Sequence, residues 1–205
     1  MKKFTFLSLA FILVAGFQSF SGNEKTIENL KAAFKGETTA SAKYAAYADQ
    51  ARKEGLLNIA IMFTATSKAE AIHATNHKKV IEKMGQNPGV VKPEFKVKTT
   101  KENLQDAISG ETYEMTTMYP GFIVTGKADN ATEAVKSFRW AMDTEKKHQI
   151  MYQAAVEAIN TDKVGTLSKI YWVCPKCGNT YNETKPEASC AFCSTKSEKY
   201  IKFAK

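Results

Sequence analysis

The sequence predicts a mainly α-helical protein, a four-helix bundle with one long crossover, followed by a small C-terminal metal-binding unit. Three observations predict it. The stretch LKAAFKGET, from Leu30 to Thr38, returns as LQDAISGET from Leu104 to Thr112, so that Leu-x-x-Ala-x-x-Gly-Glu-Thr occurs twice in one register. Glu70 and His73 return in the same way as Glu145 and His148. A helical hairpin has therefore been duplicated. The second observation is apolar periodicity of three and four residues through both copies, the period of a helix with one buried face. The third is the placement of all four cysteines near the end, as Cys174-x-x-Cys177 and Cys190-x-x-Cys193.

The chain of 205 residues has room for one medium domain and a small appendage. Residues 1–21 read as a secretory signal peptide: Lys2 and Lys3 precede an apolar run from Phe4 to Phe17, with small and polar residues after it. The run falls short of the roughly 20 residues that a membrane span needs, so no stable insertion is expected once it is removed. Its loss takes two lysines from a formal charge of +8, leaving +6. That charge is spread over lysines at helical spacing without a dense basic block, which disfavours nucleic acid as a partner. The leader implies export, to the periplasm. Export and unpaired thiols are in tension, because oxidising compartments favour disulfides.

The first helix is expected over 27–54, stopped by Gly55, with Leu30, Ala33, Phe34, Glu37, Ala40, Ser41, Tyr44 and Tyr47 on one face. The second is expected over 56–84, ended by Gly85 and the Asn87-Pro88-Gly89 turn, with Ile59, Phe63, Thr66, Glu70, His73 and His77 in its stripe. Residues 85–100 carry two prolines and no helical period, and form the crossover. Thr99 with Glu102 is a capping box for the third helix. Its stripe holds Leu104, Ala107, Ile108, Glu111, Glu114, Met115 and Met118, and Pro120-Gly121 should kink or interrupt it. Asn130 with Glu133 offers a second capping box, opening a fourth helix that runs to about residue 160.

Glu37 and Glu70 stand at nearly equal distances before and after Gly55, and Glu111 and Glu145 do the same about Asp129. At about 1.5 Å of rise per residue the mismatch is less than one turn, so all four meet at one height in an antiparallel bundle. Four carboxylates in an apolar core are costly as bare anions, and two divalent cations balance them. The i,i+3 spacing of Glu70 with His73 and of Glu145 with His148 puts a carboxylate and an imidazole on one helical face. This is the ligand inventory of ferritin-like di-iron and di-manganese proteins, and its oxygen-rich donors suit iron or manganese. His77 lacks a counterpart after His148 and reads as a core or surface histidine. Tyr44, Tyr47 and Tyr119 are either hydrogen-bond donors to the ligands or core filling, and Met115, Met118, Met142 and Met151 are packing residues.

The two cysteine pairs, with a short polar stretch between them, form a tetrahedral four-thiolate site for zinc or a single iron. The segment is too small to bury a core, so metal should supply much of its stability.

AFKGET with Tyr44, the KEGL turn from Lys53, GETYEMTTMYPGF from Gly110 and the paired knuckles make the chain resemble the rubrerythrins. The resemblance covers everything after the leader. It implies a ferritin-like di-iron domain over 22–163 and a rubredoxin-like domain over 169–205. Transferred to matching positions, Glu37 is terminal on one iron and Glu111 on the other, Glu70 and Glu145 bridge, and His148 binds the second iron. His73 and Glu114 exchange on the first iron as it is oxidised. These seven are the implied catalytic residues; Cys174, Cys177, Cys190 and Cys193 hold the third iron. The implied activity is reduction of hydrogen peroxide to water, with electrons passing from an unidentified donor through the four-cysteine iron. A homodimer is implied, with that iron near the partner's di-iron site. The alternative is a ferroxidase or iron-handling protein with a structural zinc tail. One departure stands out: the second knuckle is Cys190-Ala-Phe-Cys193-Ser194, where the family has Cys-Pro-x-Cys-Gly.

Overall fold

A computed structural model describes residues 23–182 and 186–204; the expected leader lies outside them. Helices α1 (Glu24–Lys53) and α2 (Leu57–Lys83) form the first hairpin. The irregular crossover follows, then α3 (Thr100–Tyr113), a π-helical turn (Glu114–Met118), α4 (Tyr119–Ala128) and α5 (Thr132–Asn160). The α1 helix packs along α2, and α3 with α4 packs along α5. The buried faces follow the predicted period, with Leu30, Ala33, Glu37, Ala40, Tyr44 and Tyr47 on α1. No helix of the described residues is long and apolar enough to cross a membrane.

Each of these hairpin helices ends in the same way. At the close of α1 the Leu56 N–H reaches the Ala51 carbonyl and the Gly55 N–H reaches that of Arg52, with Gly55 at φ +76°. Gly85 repeats this after α2. The pattern satisfies the carbonyls that a helix end leaves over. It also corrects the reading of Asn130. Rather than capping α5, Asn130 takes the left-handed position after α4 at φ +55°, and the next N–H, that of Ala131, bonds the Gly126 carbonyl at 2.8 Å. Asn tolerates this backbone conformation better than most residues. Glu133, freed from any capping role, pairs with Lys83 at 2.7 Å, and α5 starts without a side-chain cap. The Thr99–Glu102 box is present as predicted.

The expected kink at Pro120 is instead a wide turn just before it. Proline lacks the N–H for a regular turn and crowds the carbonyl four residues back; the π-helical turn at Glu114–Met118 opens the chain there, and Pro120 begins α4. The turn also explains why the second copy runs one residue longer than the first between its Gly-Glu-Thr and its Glu-x-x-His. A π turn holds one extra residue, and it lies between the second Gly-Glu-Thr and Glu145.

Beyond α5, strands β1 (Ile170–Val173), β2 (Thr180–Tyr181) and β3 (Ile201–Ala204) form an antiparallel sheet in the order β2-β1-β3. Trp172 pairs with Tyr181 and Val173 with Ile201. Tyr171 and Val173 are buried in the same apolar cluster as Tyr44, Phe63 and Tyr152. The link before the sheet is tied down as well, because Asn58 donates to the carbonyls of Val164 and Leu167, both at 3.1 Å.

Candidate metal centre

The core of the bundle brings together two groups of four: Glu37, Glu70, His73 and Glu145, and Glu70, Glu111, Glu145 and His148. All are buried. Within each group the potential ligand atoms lie within 4.8 Å of one another. Glu70 and Glu145 belong to both, each offering one oxygen to either side. His73 Nδ1 stands 2.9 Å from Glu70 Oε2 and 3.0 Å from Glu145 Oε1. His148 Nδ1 stands 2.9 Å from Glu70 Oε1 and 3.0 Å from Glu145 Oε2. Glu37 and Glu111 complete the two sides, at 3.8 and 3.9 Å from the respective imidazoles.

These residues fit a pair of cations. Adjacent ligands of an octahedral ion with bonds near 2.1 Å are about 3.0 Å apart. Moreover, Glu37 Oε2, both oxygens of Glu70 and Glu145, and Nδ1 of both histidines are buried with no hydrogen-bond partner. So many orphaned polar atoms aimed at one place are costly unless ions take them up.

Packed together away from water, these groups shift one another's protonation. Burial, then the charge of Glu145, pushes the Glu37 carboxyl up to about 7. Burial and Glu145 likewise hold Glu111 well above the usual carboxylate range. For Glu70 burial works the same way, but His148 and His73 outweigh it and bring the group down to about 2. Burial would lower His148, yet Glu70 and Glu145 raise it to about 9.

Supporting hydrogen bonds come crosswise. Tyr44 on α1 donates to Glu111 Oε1 at 2.7 Å, and Tyr119 on α4 donates to Glu37 Oε1. Tyr47 has a different partner, Asp106 at 2.9 Å. Tyr44 and Tyr119 are separated by the same stretch of chain as Glu70 and Glu145, the offset of the duplication itself, which is the signal that could have singled them out. His77 is a core histidine. Its Nε2 meets the Tyr119 hydroxyl at 3.2 Å and its Nδ1 meets Ser137 at 2.9 Å, while burial and the neighbouring His73 hold it down at about 3.

Glu114 belongs to neither group of four. It sits in the π turn, partly buried, lining an open cavity of about 360 Å³ with Gly36, Ala40 and Gly110. Burial first and Glu37 second keep its carboxyl well above the usual range, and its Oε1 lies 3.9 Å from where a Cβ on Gly36, the neighbour of Glu37, would stand.

The four cysteines converge as well. Cys174 and Cys193 sulfurs are 3.5 Å apart and those of Cys177 and Cys190 are 3.4 Å apart, as free thiols. A tetrahedral ion with bonds near 2.3 Å has edges of about 3.8 Å, so the thiols fit one with little movement. Sequence reasoning missed where this cluster would sit. The turn after Cys177 rests on the carboxylate site of the same chain: a Cβ on Gly178 would stand 2.2 Å from His73 Nε2. His148 Nε2 lies 2.9 Å from Thr180 Oγ1.

Residues 28–156 match the family model described as rubrerythrin. The chain belongs to the rubrerythrin family. It is 32% identical over 182 residues to rubrerythrin-2 of Clostridium acetobutylicum, covering 88% of this chain and 98% of that protein. Nigerythrin of Nitratidesulfovibrio vulgaris is 38% identical over 159 residues, covering 75% and 74%. A structure of nigerythrin in a partially reduced state superposes with a TM-score of 0.78 at 32% identity, over 87% of this chain and 86% of that one. A fully reduced, all-ferrous nigerythrin gives 0.76 at 33% identity, with the same coverage. A rubrerythrin-family fold, a di-iron-type carboxylate and histidine site and a four-cysteine cluster are therefore features of this chain.

Proposed function

We propose that this rubrerythrin-family chain is a peroxidase that reduces hydrogen peroxide to two waters, consuming two electrons and two protons. The observation that carries this reading is the seating of the four-cysteine cluster against the carboxylate site, with Gly178 on His73. Oxidative uptake and storage of iron need no electron carrier there, and the nigerythrin structures, described as all-ferrous and partially reduced, support a redox role for iron at matching sites.

Glu37, Glu70, His73, Glu111, Glu145 and His148 would hold two irons, and Cys174, Cys177, Cys190 and Cys193 a third. Bound there, an iron pair would supply the two electrons that peroxide reduction consumes, and a thiolate-held iron would supply one-electron chemistry beside it. Tyr44 and Tyr119 fix the carboxylates of Glu111 and Glu37 in place. Thr180 fixes the ring of His148. Glu114, beside the open cavity and next to Gly36, would be a further carboxylate available to the iron on the Glu37 side. The cavity lined by Gly36, Gly110 and Glu114 is the route we propose for peroxide.

Stopped-flow absorbance tests the reading. The protein is reduced without oxygen and mixed with one equivalent of peroxide. Rapid return of the sulfur-to-iron charge-transfer band is expected. Cys174→Ser should abolish donor-driven turnover and leave ferrous oxidation in the bundle intact. Absence of the band under any oxidant would replace this reading with that of a di-iron oxidase or iron-handling protein carrying a structural zinc tail.

A further inference from the structure

The two faces of the cysteine unit differ. Its first knuckle is pressed on the bundle through Gly178. Its second knuckle faces outward: Cys193 is the only one of the four cysteines that is not fully buried. Beside it runs a groove made of two adjoining cavities, about 480 and 180 Å³, that share Lys136 and Trp140 in their walls. The larger cavity ends on Ala191 and Phe192, the two residues between Cys190 and Cys193. Trp140 donates its indole N–H to the Phe192 carbonyl at 3.3 Å, so the groove floor is tied to the knuckle.

The rim is basic. Lys136 and Lys176 lie 5.3 and 6.0 Å from the Trp140 ring centre, and Lys79 and Arg139 are exposed on the walls. The two acidic residues in the walls are already matched: Glu133 by Lys83 and Asp143 by Lys146, each at 2.7 Å. The charge left facing a visitor is positive, over an apolar and aromatic floor of Val80, Val135, Trp140 and Phe192.

We infer that this groove docks an acidic protein that carries one electron, and that the electron enters at the second knuckle and leaves by the first. The inference rests on the function proposed above. In the step, the docked carrier is oxidised by one electron and the metal held by the four cysteines is reduced by one; no bond forms or breaks and no proton moves. Charge complementarity of this kind speeds encounter and makes it salt-dependent. The apolar floor then holds the carrier within one residue of Cys193.

The test uses iron-loaded full-length protein and a reduced plant-type two-iron ferredoxin as the acidic probe. Bleaching of the ferric thiolate band is followed by stopped flow at low and high salt. Lys136→Glu with Arg139→Glu should slow the bimolecular rate on the order of tenfold at low salt. Lys101→Glu, at the opposite end of the bundle, should leave it unchanged, and dithionite should reduce all variants equally. On zinc-loaded protein, titration calorimetry with oxidised ferredoxin should show the same loss of binding in the double variant alone. Rates and binding indifferent to the groove charges and to salt would overturn the docking site. If iron-loaded protein shows no thiolate band, the reading under Proposed function has failed, and the electron route falls with it.

Discussion

The two halves of the bundle are copies, and their differences say more than their likeness. In the first half Glu37, Tyr44, Glu70 and His73 occupy the places that Glu111, Tyr119, Glu145 and His148 hold in the second. Each half's tyrosine braces the other half's glutamate. Two things break the symmetry. The second half carries the π turn, which puts Glu114 at the site where the first half, at the equivalent place, has only Ala40. The cysteine unit then treats the two histidines unequally, offering the bare backbone of Gly178 to His73 and a hydroxyl from Thr180 to His148. A symmetric scaffold thereby gains two unlike sides. His148 Nε2 has a hydrogen-bond partner in Thr180, whereas His73 Nε2 faces backbone and has none.

The largest test of this picture removes what the halves share. Glu145→Ala should cost both bundle cations, because its two oxygens serve both imidazoles, whereas Glu37→Ala should cost one; metal analysis per chain separates these. Next in size is Gly178→Ala. The added Cβ would fall 2.6 Å from His73 Cδ2 and 3.2 Å from the Ala69 carbonyl, at φ +83°. The knuckle should lift off the bundle, lowering Tm and slowing electron transfer between the two sites, with the thiolate band still present.

Tyr119→Phe and Tyr44→Phe sharpen the comparison. Each should lower metal affinity by roughly 10- to 100-fold, the first on the Glu37 side and the second on the Glu111 side. Calorimetric titration of metal-free protein should therefore weaken one binding step per variant.

A smaller effect lies in the pH dependence of the metal-free protein. Glu37 is raised from 4.5 to about 7, so the folded state holds more protons than the unfolded and stability falls as pH rises across that window. His148 is raised from 6.5 to about 9; its contribution is complete below 6.5 and is lost as pH rises through about 9. Glu70, depressed to about 2, gives stability present above 4.5 that is lost only as pH falls toward 2. Tm should therefore decline between about pH 6.5 and pH 9 without metal, above the range in which His77, depressed to about 3, works the other way. The loaded protein should lack this slope, since metal takes the place of those protons.

The smallest effect separates the two knuckles. Ser194 adopts φ +56°, and its N–H bonds the Cys190 carbonyl at 2.8 Å, just as the Gly178 N–H bonds that of Cys174 at 3.0 Å. The departure from the family's glycine has thus kept the turn. Ser194→Gly should relieve about 1 kcal/mol of left-handed strain, visible as a slight rise in Tm. Ser194 is exposed, so serine is tolerated there, whereas Gly178 has His73 against it.

Much of this was legible in the sequence because it depends on period and spacing. The Gly-Glu-Thr repeat and the two Glu-x-x-His pairs determined which side chains share a helical face and at what height they meet. The paired knuckles determined a four-thiolate cluster, and Thr99 with Glu102 determined where the third long helix starts. Asn130 with Glu133 gave the wrong boundary, because the same residue type serves both as a cap and as a left-handed terminator, and only the neighbouring Gly126 carbonyl decides between them. Glu114 and the tyrosines were visible as residues, but their partners lie on other helices. Only the tertiary structure decided that Tyr44 crosses to Glu111 and Tyr119 to Glu37, that a π turn absorbs the extra residue, and that the cysteine unit rests on His73. Spacing along one helix fixes direction, whereas contact between elements depends on how they pack, and no local pattern encodes that.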